Sequence, residues 1–146
     1  IMAYVHIAHD CVVGSHTILA NNATLAGHVE LGDWAICGGF SGIHQFCRIG
    51  AHAFLGMFSA INRDVPAYVT VSGQPASPRG INSEGLKRRD YSAEQIRNIK
   101  NAYRLTFRQG KKLSEAIEEI EALSKAQPEL QVFLDSLRSS ERGLVR

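Results

Sequence analysis

The chain has 146 residues, of which 45% are hydrophobic and 21% charged, and its net charge is +2. This is the composition of an ordinary globular domain, and so small a charge gives no support to a nucleic-acid partner. No run of about 18 apolar residues occurs, so no membrane-spanning helix is predicted. The three cysteines, Cys11, Cys37 and Cys47, contain no CxxC pair. They are interpreted as reduced apolar fillers, which fits a reducing compartment.

An apolar residue recurs at every sixth position through the first half of the chain. The series is Ile1, Ile7, Val13, Leu19, Leu25, Leu31, Cys37, Ile43, Ile49, Leu55 and Ile61. A period of six excludes a long amphipathic helix, fits short strands, and is a known β-helix repeat length. Three hexapeptides form one triangular coil, so residues 18 apart are predicted to stack as parallel strands about 4.8 Å apart. Residues 1–66 are thus predicted to be a parallel β-helix, and similar hexapeptide-repeat proteins wind left-handed. Because the pattern is already running at Ile1, further coils are expected upstream.

The second half of the chain has a different pattern. Residues 67–83 are rich in proline and glycine and are predicted to be an irregular connection. Residues 84–146 are predicted to form an α-helical domain that caps the last coil of the solenoid. Ser92 with Gln95 is a capping box that begins one helix ending near Gly110. Leu113 to Leu123 indicates a second helix, and Pro128 begins a third.

All six histidines lie in the repeat region, and their rings are predicted to project outward because the small-residue core has no room for imidazole. In the 18-residue register, His9 stacks on Gly27 and then on Gln45, and Asp10 stacks on His28. One outer corner therefore gathers an imidazole, a carboxylate and a glycine N–H. This set suits acyl transfer: His9 takes a proton from a hydroxyl, Asp10 supports it, and the Gly27 N–H stabilises an oxyanion.

A metal site is the alternative interpretation of the histidines. Imidazoles on adjacent coils bind zinc in some hexapeptide-repeat proteins, and zinc needs three protein ligands in a fixed geometry. His6 and His9 would point to opposite faces of a regular strand, which argues against a shared metal.

Four segments carry a more specific resemblance. They are HIAHDCVVG (6–14), LANNATLAGHVELGD (19–33), GIHQFCRIGAHAF (42–54) and INSEGLKRR (81–89), and the ending RGLVR agrees as well. Together they resemble the UDP-N-acetylglucosamine 3-O-acyltransferases of lipid A biosynthesis over essentially the whole chain. The resemblance implies the C-terminal part of a cytoplasmic homotrimer without a cofactor or metal. It implies acyl carrier protein as donor, UDP-N-acetylglucosamine as acceptor, and His9 as the base on the 3-hydroxyl.

The resemblance also implies roles for the matching positions. The sugar, phosphates or thioester region would be contacted by His6, His28, His44 and Gln45. The nucleotide end would be bound by Asn82, Glu84, Arg88 and Arg89, the arginines being suited to phosphate. Met57, 18 residues from Gly39, falls on the acyl-chain ruler, and its side chain predicts a chain of about ten carbons, because a clash removes ~0.8 kcal/mol per methylene otherwise buried.

The sequence is compatible with three alternatives. The sister N-acyltransferase of the same pathway shares the HIAHD corner, although INSEGLKRR favours O-acyl transfer. A non-catalytic trimeric solenoid is the alternative of another class. The basic run from Arg97 to Arg108 is either a solvated helix face or a docking surface for the acidic carrier protein.

Overall fold

The computed structural model describes all 146 residues of the chain. Its first part is a parallel β-solenoid whose two-residue strands form three flat faces. Face A contains β1 (His6–Ile7), β4 (Thr24–Leu25), β7 (Gly42–Ile43) and β10 (Ala60–Ile61). Face B contains β2 (Val12–Val13), β5 (Glu30–Leu31) and β8 (Arg48–Ile49). Face C contains β3 (Ile18–Leu19), β6 (Ile36–Cys37) and β9 (Phe54–Leu55), followed by β11 (Val69–Gly73) and β12 (Ala76–Ile81). The predicted parallel solenoid with an 18-residue register is confirmed, for example by the pairing of Ile7 with Leu25.

The core of the solenoid consists of the period-six apolar residues. From Leu19 to Ile61 every member of the series is buried. Small residues such as Ala23, Ala35 and Ala53 are buried beside them and let the chain turn tightly between faces. Ile1 and Val13 are exposed because they lie in the first coil, which has no coil beneath it. Burial of the apolar series contributes about 25 cal/mol per Å² of apolar surface removed from water.

The corners between faces are formed by residues with left-handed backbone conformation. Ten such residues, spaced six apart from Tyr4 to Phe58, have φ between 58° and 65°. None of them is β-branched, because a branched Cβ is strongly disfavoured at positive φ. Their side chains point outward and stack on those of the next coil, as when the His16 ring lies 4.2 Å from the Trp34 ring.

The predicted irregular connection at 67–83 is wrong. β11 pairs in parallel with β9 and completes a fourth coil, and β12 pairs with β11 as an antiparallel hairpin. The register falls from 18 to 16 residues here, since Ile49 pairs with Val65 and Leu55 with Val71. Pro78 is accommodated because β12 is the outermost strand of its sheet, where its missing N–H disrupts no ladder.

Four helices cover the last coil: α1 (Ser83–Arg88), α2 (Ala93–Phe107), α3 (Leu113–Ser124) and α4 (Leu130–Arg138). The capping box of Ser92 and Gln95 at the start of α2 is confirmed by both of its hydrogen bonds. The short helix α1 was not predicted from sequence. The helical cap is tied to the fourth coil by the Tyr68 hydroxyl, which donates to the Glu129 carbonyl of the turn before α4 over 2.9 Å. No helix has both the length and the apolar character needed to cross a membrane.

Candidate active site

The candidate functional residues lie mainly on the three corners of the prism. The histidine corner joins faces A and B and contains His9, Asp10, Gly27, His28, Gln45 and Phe46. The tryptophan corner joins faces B and C and contains Trp34, His52 and Tyr68. The methionine corner joins faces C and A and contains Gly39, Phe40, Met57 and Phe58.

At the histidine corner, an imidazole and a carboxylate form a direct pair. His9 Nδ1 lies 3.0 Å from Asp10 Oδ2, and His28 Nε2 lies 3.7 Å from the same oxygen. The hydrogen bond from His9, followed by the charge of His28, lowers the pKa of the Asp10 carboxyl from its ordinary value. A carboxylate that accepts from Nδ1 keeps the proton on that nitrogen, so Nε2 of His9 is the lone pair available to a substrate.

Gly27 lies directly against this pair. A Cβ placed on Gly27 would lie 2.7 Å from both Cε1 and Nε2 of His9, so only glycine leaves room for the ring. The Gly27 N–H donates to no acceptor within the protein. The ring centroids of His9 and His28 are 5.1 Å apart in an edge contact, and His28 stacks on Phe46 at 4.6 Å. The neighbours expected from the 18-residue register therefore lie together, with an imidazole and an unused N–H side by side.

Face A next to this corner carries the other two histidines to which the resemblance gives a role. His6 lies in β1 opposite Thr24, and His44 directly follows β7. A shallow groove of about 420 Å³ crosses this face. Its lining is mostly small or apolar: Thr24, Ala26, Gly42, Ile43, His44, Ala60, Ile61, Asn62 and Pro75. Gln45 follows His44 at the corner, in register with His9 and Gly27.

The methionine corner contains the two residues expected to measure chain length. Gly39 and Met57 are neighbours, since a Cβ on Gly39 would lie 3.7 Å from the Met57 methyl carbon. The Met57 side chain is 62% exposed. Beside it Phe40 and Phe58 stack at 5.2 Å, and both are about half exposed. Within one chain this corner is separated from His9 by the full width of face A.

The residues expected at the nucleotide end lie beside the tryptophan corner. Asn82 caps α1 by accepting the Gly85 N–H at 3.1 Å. A groove of about 730 Å³ opens between α1 and face C. Its lining has an apolar floor and a charged rim, made by Ile18, Trp34, Ile36, Phe54, Asn82, Glu84, Gly85, Arg88, Arg89 and Asp90. All four predicted nucleotide residues therefore share one groove, which lies on a different corner from His9.

One histidine projects from the solenoid as predicted but is covered by later parts of the chain. The His52 ring is partly buried, with its centroid 6.4 Å from that of Trp34 and 5.4 Å from that of Tyr68. It is covered because Arg89 and Tyr91 lie against this corner. No sequence pattern predicted a role for Trp34 or His52. The 18-residue spacing of His16, Trp34 and His52 was the available signal for this ladder.

The metal alternative also has a structural counterpart. Ligand atoms of His9, Asp10 and His28 all lie within 4.8 Å of one another, close enough to hold one ion. His9 would then have to exchange its hydrogen bond with Asp10 for a shared coordination sphere.

A solenoid with period six and a histidine–carboxylate pair on its outer corner defines the class of hexapeptide-repeat transferases. Accordingly, residues 1–27 match the family of bacterial transferase hexapeptide repeats. Residues 64–145 match the second domain of the UDP-N-acetylglucosamine O-acyltransferases, and the chain belongs to this family.

Individual relatives agree with this assignment. The acyl-[acyl-carrier-protein]–UDP-N-acetylglucosamine O-acyltransferase of Thiobacillus denitrificans is 55% identical over all 146 residues, and that of Pseudomonas aeruginosa strain LESB58 is 53% identical. The chain spans 57% of the length of each. Among solved structures, the UDP-N-acetylglucosamine acyltransferase of Francisella novicida superposes with a TM-score of 0.98 at 43% identity, covering 100% of this chain and 54% of that one. LpxA from Acinetobacter baumannii superposes with a TM-score of 0.95 at 50% identity, covering 97% of this chain and 55% of that one.

Proposed function

We propose that the complete protein transfers a 3-hydroxyacyl chain from acyl carrier protein to the 3-hydroxyl of UDP-N-acetylglucosamine, the first step of lipid A biosynthesis. The observation that carries the proposal is the His9–Asp10 pair lying against the unused N–H of Gly27. The names of the relatives supply the donor and the acceptor. A cytoplasmic location is part of the proposal and is supported by three free cysteines, since thiols persist in reducing compartments.

The chemistry follows from the histidine corner. Nε2 of His9 takes the proton of the sugar 3-hydroxyl as its oxygen attacks the thioester carbonyl. The negative charge on the carbonyl oxygen is stabilised by the Gly27 N–H, and the imidazolium by Asp10. Collapse of the intermediate breaks the carbon–sulfur bond, and His9 returns its proton to the departing thiolate. The products are an ester and the free thiol of the carrier, and no cofactor is needed.

Assembly as a homotrimer belongs to the same proposal. One chain places the base, the chain-length residues and the nucleotide groove on three separate corners, so a shared site requires neighbouring subunits to combine different corners. Exposed Phe40 and Phe58 support burial of this part of the surface in an assembly. In such a site the sugar and the thioester region contact His6, His28, His44 and Gln45. The nucleotide end is bound by Asn82, Glu84, Arg88 and Arg89.

Acyl carrier protein is proposed to dock near α2. Arg97, Lys100 and Arg104 of this helix are exposed. Basic side chains at the rim of an interface accelerate encounter with an acidic partner and make it sensitive to salt.

The product distinguishes this proposal from the two alternatives kept open by the sequence. An O-acyl product is an ester that mild base cleaves, whereas the sister N-acyltransferase would form a base-stable amide. Mass spectrometry before and after base treatment separates the two products. Absence of any acylated product from the complete protein would leave a non-catalytic solenoid.

Replacing Met57 by Gly is expected to lengthen the preferred acyl chain from about ten carbons to about fourteen. Removing the Met57 side chain opens space at the methionine corner, where the acyl chain is proposed to end. Each further methylene buried there contributes ~0.8 kcal/mol. The measurement is a competition between carrier proteins loaded with C10 and C14 hydroxyacyl chains, with the products weighed by mass spectrometry. Met57→Leu keeps a side chain of similar volume and is the matched control. An unchanged C10 preference in the glycine variant would mean that Met57 does not measure the chain.

The cluster of His9, Asp10 and His28 is the one observation that favours metal-dependent chemistry instead. If acyl transfer proceeds as proposed, dialysis against a chelator leaves the rate unchanged, because no step uses a Lewis acid. The assay is turnover before and after chelation, with the metal content of the protein measured in parallel. Loss of activity that zinc restores would reassign the corner as a metal centre.

A further inference from the structure

His52 is a partly buried titratable residue that the proposed chemistry does not use. Its ring contacts Arg89 and Tyr91, and its backbone carbonyl contacts Asn82. Nη1 of Arg89, at the end of α1, lies 3.1 Å from His52 Nδ1, and the Tyr91 hydroxyl lies 3.4 Å from Nε2. The His52 carbonyl accepts a hydrogen bond of 3.1 Å from the Asn82 side chain. One residue thus contacts two of the four groups proposed to bind the nucleotide.

The contact with Arg89 determines the protonation of the ring. A guanidinium can only donate hydrogen bonds, so Nδ1 of His52 must be the unprotonated acceptor. Nε2 then carries the proton and faces the Tyr91 oxygen.

Arg89 is held from a second direction as well, since its guanidinium carbon lies 4.8 Å from the centre of the Trp34 ring. Gly85 leaves room for the guanidinium, because a Cβ there would lie 2.9 Å from Nη1 of Arg89. The contacts with His52 and Trp34 therefore hold the guanidinium at the rim of the groove.

We propose that His52 is a positioning residue for nucleotide binding: its unprotonated Nδ1 holds the Arg89 guanidinium at the groove rim, where a diphosphate would meet it. The inference rests on the proposed function of this groove. It adds a residue that touches no substrate and acts through Arg89.

The charges around the ring support this role. Burial, followed by the positive charge of Arg89, lowers the pKa of His52 from 6.5 to about 4, while Asp33 of the coil below acts weakly in the opposite direction. The other titratable residues against the ring are Tyr68, whose aromatic ring stacks on it, and Tyr91, whose hydroxyl lies near Nε2. Because the pKa is lowered, the ring stays neutral in the folded protein below pH 6.5, and its bond to Arg89 is lost as the pH falls through about 4. Protonation would place two cations in contact and release Arg89.

The chain itself suggests a matched pair of variants. Phenylalanine occupies the same left-handed corner position at Phe40 and Phe58, so His52→Phe preserves the ladder while removing the acceptor. Asparagine occupies this position at Asn22, so His52→Asn fits the backbone. Its amide oxygen would lie near the position of Nδ1, and an amide does not titrate. Affinity for UDP and the kinetic constants for UDP-N-acetylglucosamine are measured in the complete protein.

At neutral pH, His52→Phe is expected to weaken UDP binding about tenfold or more, the usual effect of losing a hydrogen bond to a charged group. The KM for UDP-N-acetylglucosamine is expected to change more than kcat. His52→Asn is expected to recover most of the lost affinity. The affinity of the asparagine variant relative to the unaltered protein rises as the pH is lowered from 6.5 towards 4. Separately, ¹⁵N chemical shifts of His52 identify the unprotonated nitrogen without any nucleotide.

The outcomes separate this inference from the function on which it rests. If the unaltered protein binds no UDP, the proposed function and the nucleotide part of this inference fail together. If the unaltered protein and His52→Phe bind UDP equally, the inference alone is wrong. A protonated Nδ1 at neutral pH would also overturn it.

Discussion

Replacing His9 by Ala in the complete protein lowers kcat about 10²–10⁴-fold, the range typical of losing a general base. The His9 ring pairs with Asp10 at 3.0 Å and lies against Gly27, so its removal takes away the proposed base beside the free N–H of Gly27. Stability is expected to be unaffected, because the His9 side chain is 73% exposed and surface changes of this kind stay within about 0.5 kcal/mol. The measurement combines turnover with thermal unfolding and the mass of the assembly.

A matched control for this variant is Ser15→Ala. Ser15 occupies the turn position six residues after His9 on the next corner, and it should retain full turnover. A His9→Ala protein with normal turnover would remove the base role. A protein that loses activity together with its melting temperature would show that His9 supports the fold instead.

Replacing Asp64 by Ala is expected to lower the free energy of unfolding by about 4 kcal/mol, because the buried carboxylate accepts four hydrogen bonds and each partly buried donor left unpaired costs at least ~1 kcal/mol. Asp64 is 3% exposed. Oδ1 accepts the Arg48 N–H at 2.8 Å, and Oδ2 accepts the Ser140 hydroxyl at 2.7 Å and the N–H groups of Glu141 and Arg142 at 3.2 and 3.3 Å. The carboxylate thereby joins the third coil to the segment that follows α4.

Urea unfolding followed by circular dichroism measures the effect, and the melting temperature should fall by about 10 °C for a chain of this size. Asp64→Asn keeps the shape of the side chain but loses part of its capacity to accept hydrogen bonds. Its stability should therefore lie between that of the unaltered protein and that of Asp64→Ala. Arg63→Ala, at the exposed neighbouring residue, is the control and should change stability little. A loss below about 1 kcal/mol in Asp64→Ala would mean that water satisfies these donors in the variant.

The regular coils were predictable because a single period determines both which residues are buried and which residues stack on neighbouring coils. An apolar residue every six positions predicts which side chains point inward, and 18-residue spacing brings Asp10 beside His28 without any knowledge of long-range folding. Prediction failed where this period ends. The chain shortens by two residues before Val65, so Tyr68 stacks on His52 in place of the residue 18 positions later, Thr70. The shortening lies beneath the helical cap, and no local sequence pattern predicts it.

The candidate site was predictable to the same extent. The histidine corner follows from register alone. The position of Arg89 does not, because it depends on α1 folding back over a partly buried histidine. Proline and glycine between 67 and 83 also led to the prediction of an irregular segment in place of the hairpin of β11 and β12. An outer strand such as β12 tolerates these residues, whereas an inner strand does not.

The corner geometry has a consequence for changes in chain length. Inserting one hexapeptide between residues 10 and 27 would preserve the repeat in both flanking segments, yet would carry His9 to a different corner from Gly27. Inserting three hexapeptides would keep them on the same corner but separate them by an extra coil. Relatives are therefore expected to have no insertions or deletions between residues 10 and 27. Whole coils can be added before His6 without moving the reacting groups relative to one another.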